Sequence, residues 1–159
     1  MAQILDGKKI AADLRSRLAV EVATLNRSRH IVPGLAVVLV GNNPASEVYV
    51  RMKKKACADV GIASFSHELP ADTSEETLLE RVALLNQDPK VHGILVQLPL
   101  PPQIQEAQII QAIAPEKDVD GFHPQNAGLL AIGRPGLRPC TPMGVMALIE
   151  AAGVDPAGK

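Results

Sequence analysis

The sequence has no tryptophan, one tyrosine and two phenylalanines, so aromatic residues make up 2% of its 159 positions. Tyr49, Phe65 and Phe122 are too few to build a base-stacking platform. Positive charge is not in surplus either: sixteen Lys and Arg stand against seventeen Asp and Glu, a net charge of -1. A chain without a basic excess does not neutralise phosphates, so no nucleic-acid partner is expected. Cysteine is scarce, and Cys57 and Cys140 lie far apart without metal-type spacing. They read as small packed thiols in a reducing compartment, which makes the cytoplasm the expected location. The four histidines, His30, His67, His92 and His123, are scattered singly, and no metal site is expected.

Long apolar runs are missing too. Residues 35–40 and 94–100 are the longest, far below the ~20 residues of a membrane span. The first eighteen residues interleave charges with apolar side chains and lack the apolar core of a signal peptide. The turn at residues 41–46, GNNPAS, has neither G-x-G-x-x-G nor G-x-x-x-x-G-K-[ST], so any nucleotide cofactor must be held elsewhere. There is no solenoid repeat and no low-complexity tract.

What remains is a globular composition, 47% apolar and 21% charged, at a length that supports one core. Ile10, Leu14, Leu18, Val22 and Leu25 recur at spacings of three and four, which predicts a helix over residues 8–25 with one core-facing stripe. After Pro33-Gly34, residues 35–40 form a continuous β-favouring run, as in a strand covered on both faces. Pro44 suits a first helical position, and a helix over residues 44–58 would stop before Gly61. Residues 62–69 read as a second strand, Thr73-Ser74-Glu75-Glu76 as a capping box before a third helix, and residues 93–98 as a third strand ended by the prolines that follow.

A short helix around Ile109 to Ile113 follows, then turn-rich sequence over residues 115–138 with a short helix around residues 126–130. Thr141-Pro142 reads as a cap and first turn for a helix over residues 143–152. Strands alternating with helices predict an α/β domain, three layers deep with a mostly parallel sheet. Residues 1–150 are expected to form that domain. The small, turn-forming residues 151–159 are expected to begin an interdomain linker.

In open parallel sheets, ligands bind beyond the carboxyl ends of the strands. Three sets of residues fall there. Ser46, Tyr49 and Lys53 sit at i, i+3 and i+7 and so share one helix stripe, combining a hydroxyl, a ring that can stack and an amine. An amine serves as a base at neutral pH only when burial or nearby positive charge lowers its proton affinity, and Lys54 and Lys55 are the charges at hand. Gln97 closes the third strand run, where its amide can orient an amine or a ligand heteroatom, with Leu98 and Pro99 at the exit. Asp120, in Asp118-Val119-Asp120-Gly121, can accept from a ligand amino group. Each has a plain structural reading beside it: a solvated basic helix, a backbone-satisfied strand end and ordinary turn chemistry.

Taken together and in order, VGNNPASEVYVRMKKKACADVGI, GILVQLPLP, IAPEKDVDGFHPQNAGLL and PCTPMGVMALIEAAG resemble the bifunctional methylenetetrahydrofolate dehydrogenase/methenyltetrahydrofolate cyclohydrolase family. The resemblance covers essentially the whole chain. It implies NADP-dependent oxidation of 5,10-methylenetetrahydrofolate to the methenyl form and hydrolysis of that to 10-formyltetrahydrofolate, one-carbon chemistry that serves purine biosynthesis. By the same resemblance Tyr49 is the stacking ring, Lys53 the essential lysine, Gln97 the glutamine bonded to it and Asp120 the pterin-binding carboxylate.

Ser46, Leu98 and Pro99 are implied to line the folate site, and Cys140 carries no chemical role. Members are roughly twice as long and end in a second, Rossmann-type NADP domain of about 100–150 residues, which is absent from this chain. The expectation is therefore a folate-side half that transfers no hydride alone and binds NADP weakly or not at all. The resemblance also implies a homodimer for the longer enzyme. The competing reading is a non-catalytic small-molecule binding module on the same open sheet, which would need the ring but not the amine.

Overall fold

Gly34 to Val40 form the central strand, β1, and six of the seven residues are buried. A run of Ala, Val and Leu with no polar member suits a strand packed on both sides. Before it stands helix α1, Gly7–Arg29, whose Asp6 side chain accepts the amides of Lys8 and Lys9. After it come α2 (Pro44–Val60), β2 (Ala63–Leu69), α3 (Glu75–Gln87) and β3 (Gly93–Val96). Helix α4 (Glu106–Ala112), a 3-10 turn (Pro115–Lys117), α5 (Pro124–Ala131) and α6 (Cys140–Ala151) complete the order. The computed structural model describes residues 4–158.

The sheet has order β2-β1-β3 and is parallel throughout, with Val37 opposite Ser66 on one side and Leu95 on the other. The side chains of β1 alternate between its two faces. Ala36, Val38 and Val40 join Leu78, Val82 and Leu85 of α3 and Ile109 of α4 in the larger core cluster. Val37 and Leu39 join Val50 of α2 and Leu95 in a smaller one. Helices on both faces of a parallel sheet make the three-layer α/β fold that the alternation of elements predicts.

Several local expectations need correction. The stripe on α1 is not core-facing along its length: Val22 is buried, while Leu14 and Leu18 are 43% and 40% exposed. The helix packs on α2 and α6 rather than across the sheet, and its first half meets α6 across an open groove lined by Ile10, Leu14, Ala147 and Ala151, which leaves Leu14 partly exposed. Strand β3 stops at Val96, and Gln97 continues the ladder by one bond only, its amide donating to the Val38 carbonyl at 2.8 Å.

The cap of α3 is Ser74, which accepts the Thr77 amide at 3.1 Å; the Thr73 hydroxyl instead donates to the Pro70 carbonyl. Helix α6 begins at Cys140 with Pro139 in the cap position, so Thr141 lies inside the first turn and caps nothing. Proline already sets the entry angle there and offers no amide of its own to be satisfied. The stop at Gly61 is as predicted, with φ 84°, a conformation that costs glycine little.

Among the described residues no helix is long and apolar enough to cross a membrane. Among the same residues no group of three or more His, Cys, Asp or Glu is placed to hold a metal ion.

Candidate active site

The path of the chain singles out one end of the sheet. From β1 it crosses through α2 to β2, then returns through α3 past β1 to β3. The two crossovers run in opposite directions and their helices cover opposite faces, so the topological switch point lies between the carboxyl ends of β1 and β3, where a ligand crevice is usual in such sheets. Helix α2 leaves β1 on one side of that crevice, and residues 97–100 leave β3 on the other.

The start of α2 is fixed locally. The Asn43 side chain accepts the amides of Ala45 and Ser46 at 3.0 and 3.3 Å, and Pro44 takes the first helical position. Ser46 is then buried at 3% exposure, Tyr49 stands 59% exposed one turn on, and Lys53 is half-buried one turn further. An aromatic ring left this open on a helix that otherwise packs Val50, Cys57 and Val60 inward is available for stacking.

Lys53 and Gln97, 44 residues apart, meet: the Lys53 ammonium donates to Gln97 Oε1 at 2.9 Å. The other end of that amide is also taken, Gln97 Nε2 donating to the Leu98 carbonyl at 2.8 Å. With both ends engaged, the oxygen faces the amine. Downstream, the Leu100 amide donates to Glu106 Oε1 at 3.1 Å, which holds the proline-rich exit against α4. Leu98 lines a narrow crevice with Leu100, Asp120 and Phe122, whereas Pro99 is exposed and outside that lining.

Asp120 reaches the same place from the turn after the 3-10 segment. Burial raises its proton affinity above the ordinary carboxylate value; Lys53 works against that rise and Asp118 adds to it. The charge facing Lys53 across the crevice is thus the Asp120 carboxylate, while Lys54 and Lys55 are exposed on α2. That corrects the expectation that neighbouring lysines supply the charge around it.

The turn is held close to the start of α6. Gly121 has φ 66°, and a Cβ there would sit 2.6 Å from the Arg138 carbonyl carbon, so only glycine fits. The Cys140 thiol donates to the Val119 carbonyl at 3.2 Å. Cys140 is exposed rather than packed as expected, yet partial burial first and then Asp120 push its thiol up from its ordinary value.

Residue-by-residue reading missed two members of this region. Asp118 is 2% exposed and Asn126 4%; the carboxylate of the first accepts from the amide of the second at 3.0 Å. The signal was available in the DVDG turn, whose two acids both border the narrow crevice, Asp118 at its buried floor. A roomier surface groove opens on the other side of the β1 end, between α2 and β2, lined by Gly41, Glu47, Arg51, Lys54, Glu68 and Pro70. None of Tyr49, Lys53, Gln97 and Asp120 lines it.

Residues 5–120 match the family described as tetrahydrofolate dehydrogenase/cyclohydrolase, catalytic domain. The chain belongs to this family. Curated members include the bifunctional protein FolD of Geotalea uraniireducens (strain Rf4), 59% identical over 159 residues, which are 100% of this chain and 56% of that protein. The FolD of Moorella thermoacetica is 60% identical over 158 residues, 99% of this chain and 56% of that one. The chain therefore spans about half the length of the curated relatives it matches.

Among solved structures, the bifunctional FolD methylenetetrahydrofolate dehydrogenase/cyclohydrolase of Campylobacter jejuni superposes with a TM-score of 0.93 at 46% identity, over 96% of this chain and 54% of that one. The Trypanosoma brucei FolD, solved with NADP cofactor and inhibitor, gives 0.96 at 41% identity, over 99% of this chain and 54% of that one. The family's α/β fold, with a parallel sheet flanked by helices, is the fold of this chain.

Proposed function

We propose that this chain binds tetrahydrofolate derivatives in the crevice between the ends of β1 and β3 and handles the proton transfers of 5,10-methenyltetrahydrofolate hydrolysis there. The observation that carries the reading is the 2.9 Å bond from Lys53 to Gln97, made at the topological switch point with Asp120 facing it. In this reading the exposed ring of Tyr49 stacks on the pterin, and Asp120 accepts from the pterin amino group and sets its orientation. Leu98 borders the ligand, and buried Ser46 and exposed Pro99, which do not line the crevice, flank the site. Gln97 takes one of the three Lys53 N–H bonds and so aims the amine at the folate.

Water that adds to the bridging carbon must lose its protons as the formyl group forms, while one ring nitrogen leaves with its electron pair. Lys53 is the group that receives and returns a proton beside that carbon, and Tyr49 holds the ring against it.

The family's other reaction, oxidation of the methylene form, needs a nicotinamide, and the described residues do not fit one. The turn after β1 has no glycine-rich phosphate cradle, and the first free amides of α2 are already bonded to Asn43. NADP is therefore assigned to protein outside residues 1–159, and hydride transfer is not attributed to this chain. Residues 1–150 are proposed as the folate-binding catalytic unit and residues 151–159 as the start of a linker.

The test is Lys53→Met, with methenyltetrahydrofolate hydrolysis and tetrahydrofolate binding measured on the same protein. Loss of hydrolysis with binding retained supports the assignment. Hydrolysis that survives the substitution removes Lys53 from the chemistry, and an unaltered chain that binds folate without hydrolysing it is a binding module instead.

A further inference from the structure

The DVDG turn contains two carboxylates, and the folate reading uses one. Asp118 is among the most deeply buried side chains of the molecule. Its Oδ2 accepts the backbone amide of His123 at 2.8 Å and the Asn126 amide at 3.0 Å. Asn126 uses the same nitrogen to hold the Pro115 carbonyl at 2.8 Å. The backbone of Asp118 bridges to Ile94 of β3, and its carbonyl accepts the Gly121 amide at 3.2 Å. One residue earlier, the Lys117 ammonium donates to the carbonyls of Leu85, Asn86 and Asp88 at 3.2, 2.7 and 3.0 Å, closing the end of α3.

The turn that presents Asp120 is thus fastened on three sides, to β3, to α3 and to the first turn of α5. A buried carboxylate held only by neutral donors is an expensive way to fasten a turn, because its charge must be desolvated. The charge reaches two neighbours, Asp120 and Cys140. Asp120 is faced by Lys53 from α2, by Cys140 from α6 and by Asp118 from its own turn.

We propose that Asp118 is the positioning residue of the folate site, holding the Asp120 carboxylate toward the crevice through its bonds to His123 and Asn126. The inference rests on the folate reading above and adds to it a residue that does not touch the ligand. Fixing a recognition group in advance removes an ordering cost from binding, so its loss is read as affinity. The charge of Asp118 also favours the protonated form of Asp120, which a purely structural clamp would not do.

The experiment is calorimetric titration of this chain with tetrahydrofolate across pH, for the unaltered protein, Asp118→Ala and Asp118→Asn, with circular dichroism as the folding control. Asp118→Ala is expected to weaken binding about tenfold, the range for loss of a charged hydrogen-bonding partner. Asp118→Asn keeps an oxygen that accepts both bonds and is expected to restore affinity to within about threefold. In Asp118→Asn the fall in affinity on the acid side moves to lower pH, since Asp120 then releases its proton more readily.

A folded Asp118→Ala with unchanged affinity overturns the inference, and so does an acid limb that stays in place in Asp118→Asn. If Asp118→Ala does not fold, Asn126→Ala decides, by weakening binding or leaving it as it was. Failure of the unaltered chain to bind tetrahydrofolate brings down the folate reading and this inference together. Binding by the unaltered chain with equal binding by the variants overturns the inference alone.

Discussion

The two faces of the sheet are built differently. On the face covered by α3 and α4, twelve buried residues form one cluster, and Leu78, Val82 and Ile109 have no exposed surface. On the face covered by α2, four buried residues form the cluster, and the helix leaves Tyr49 exposed and Lys53 half-buried. The difference shows where stability and chemistry are placed. The thick face keeps the strands in register, and the thin face carries side chains that must remain accessible, so substitutions on the two faces should have separable consequences.

The largest stability effect is expected on the thick face. Leu78→Ala leaves a cavity at a site with no exposure, and the cost is about 2–5 kcal/mol in urea unfolding. A comparable loss from Val50→Ala, on the thin face, would break the contrast. Next comes Lys53→Met, which should lower methenyl hydrolysis by about 100-fold or more, the usual range for a proton-transfer group. Its unfolding free energy should stay within about 0.5 kcal/mol, because its neutral partner Gln97 is half-buried and reachable by water.

Ser74→Ala removes the cap of α3, with an expected cost of about 1 kcal/mol and no effect on folate affinity. The smallest effect is the pH-dependent one. Burial raises the proton affinity of Asp120 in the folded chain, so the unfolded chain gives up that proton first as pH rises. Stability is then lost on passing from the ordinary carboxylate value to the raised one. Asp120→Asn is expected to unfold at slightly higher denaturant than the unaltered chain at pH 7. The gap should close near pH 3, where Asp120 is protonated in both states. A gap that widens toward acid would mean that the carboxylate is stabilised as the anion.

Much of this contrast is legible in the residues themselves. The uninterrupted run of β1 announces a strand covered on both faces, and the stop at Gly61 follows from backbone freedom alone. The i, i+3, i+7 stripe of Ser46, Tyr49 and Lys53 is likewise a property of helical spacing. What spacing does not contain is distance across the fold. The meeting of Lys53 with Gln97 depends on which strands become neighbours, and it entered the reading through the family resemblance rather than through geometry.

The α1 stripe misleads for a related reason, since periodicity reports an apolar face without reporting what lies against it. Thr141 fails as a cap because Pro139 already fits the position. Asp118 escaped notice because an acid beside a turn glycine has a sufficient local explanation, and its burial is set by α5, six residues downstream at its start.

The central claim is the location of the ligand at the β1/β3 end of the sheet, and backbone amide shifts followed by NMR during tetrahydrofolate titration of this chain test it most directly. The account predicts that the largest changes fall on Tyr49, Lys53, Gln97 and residues 118–122. Changes confined to the groove of Arg51, Lys54 and Glu68 between α2 and β2 would contradict it.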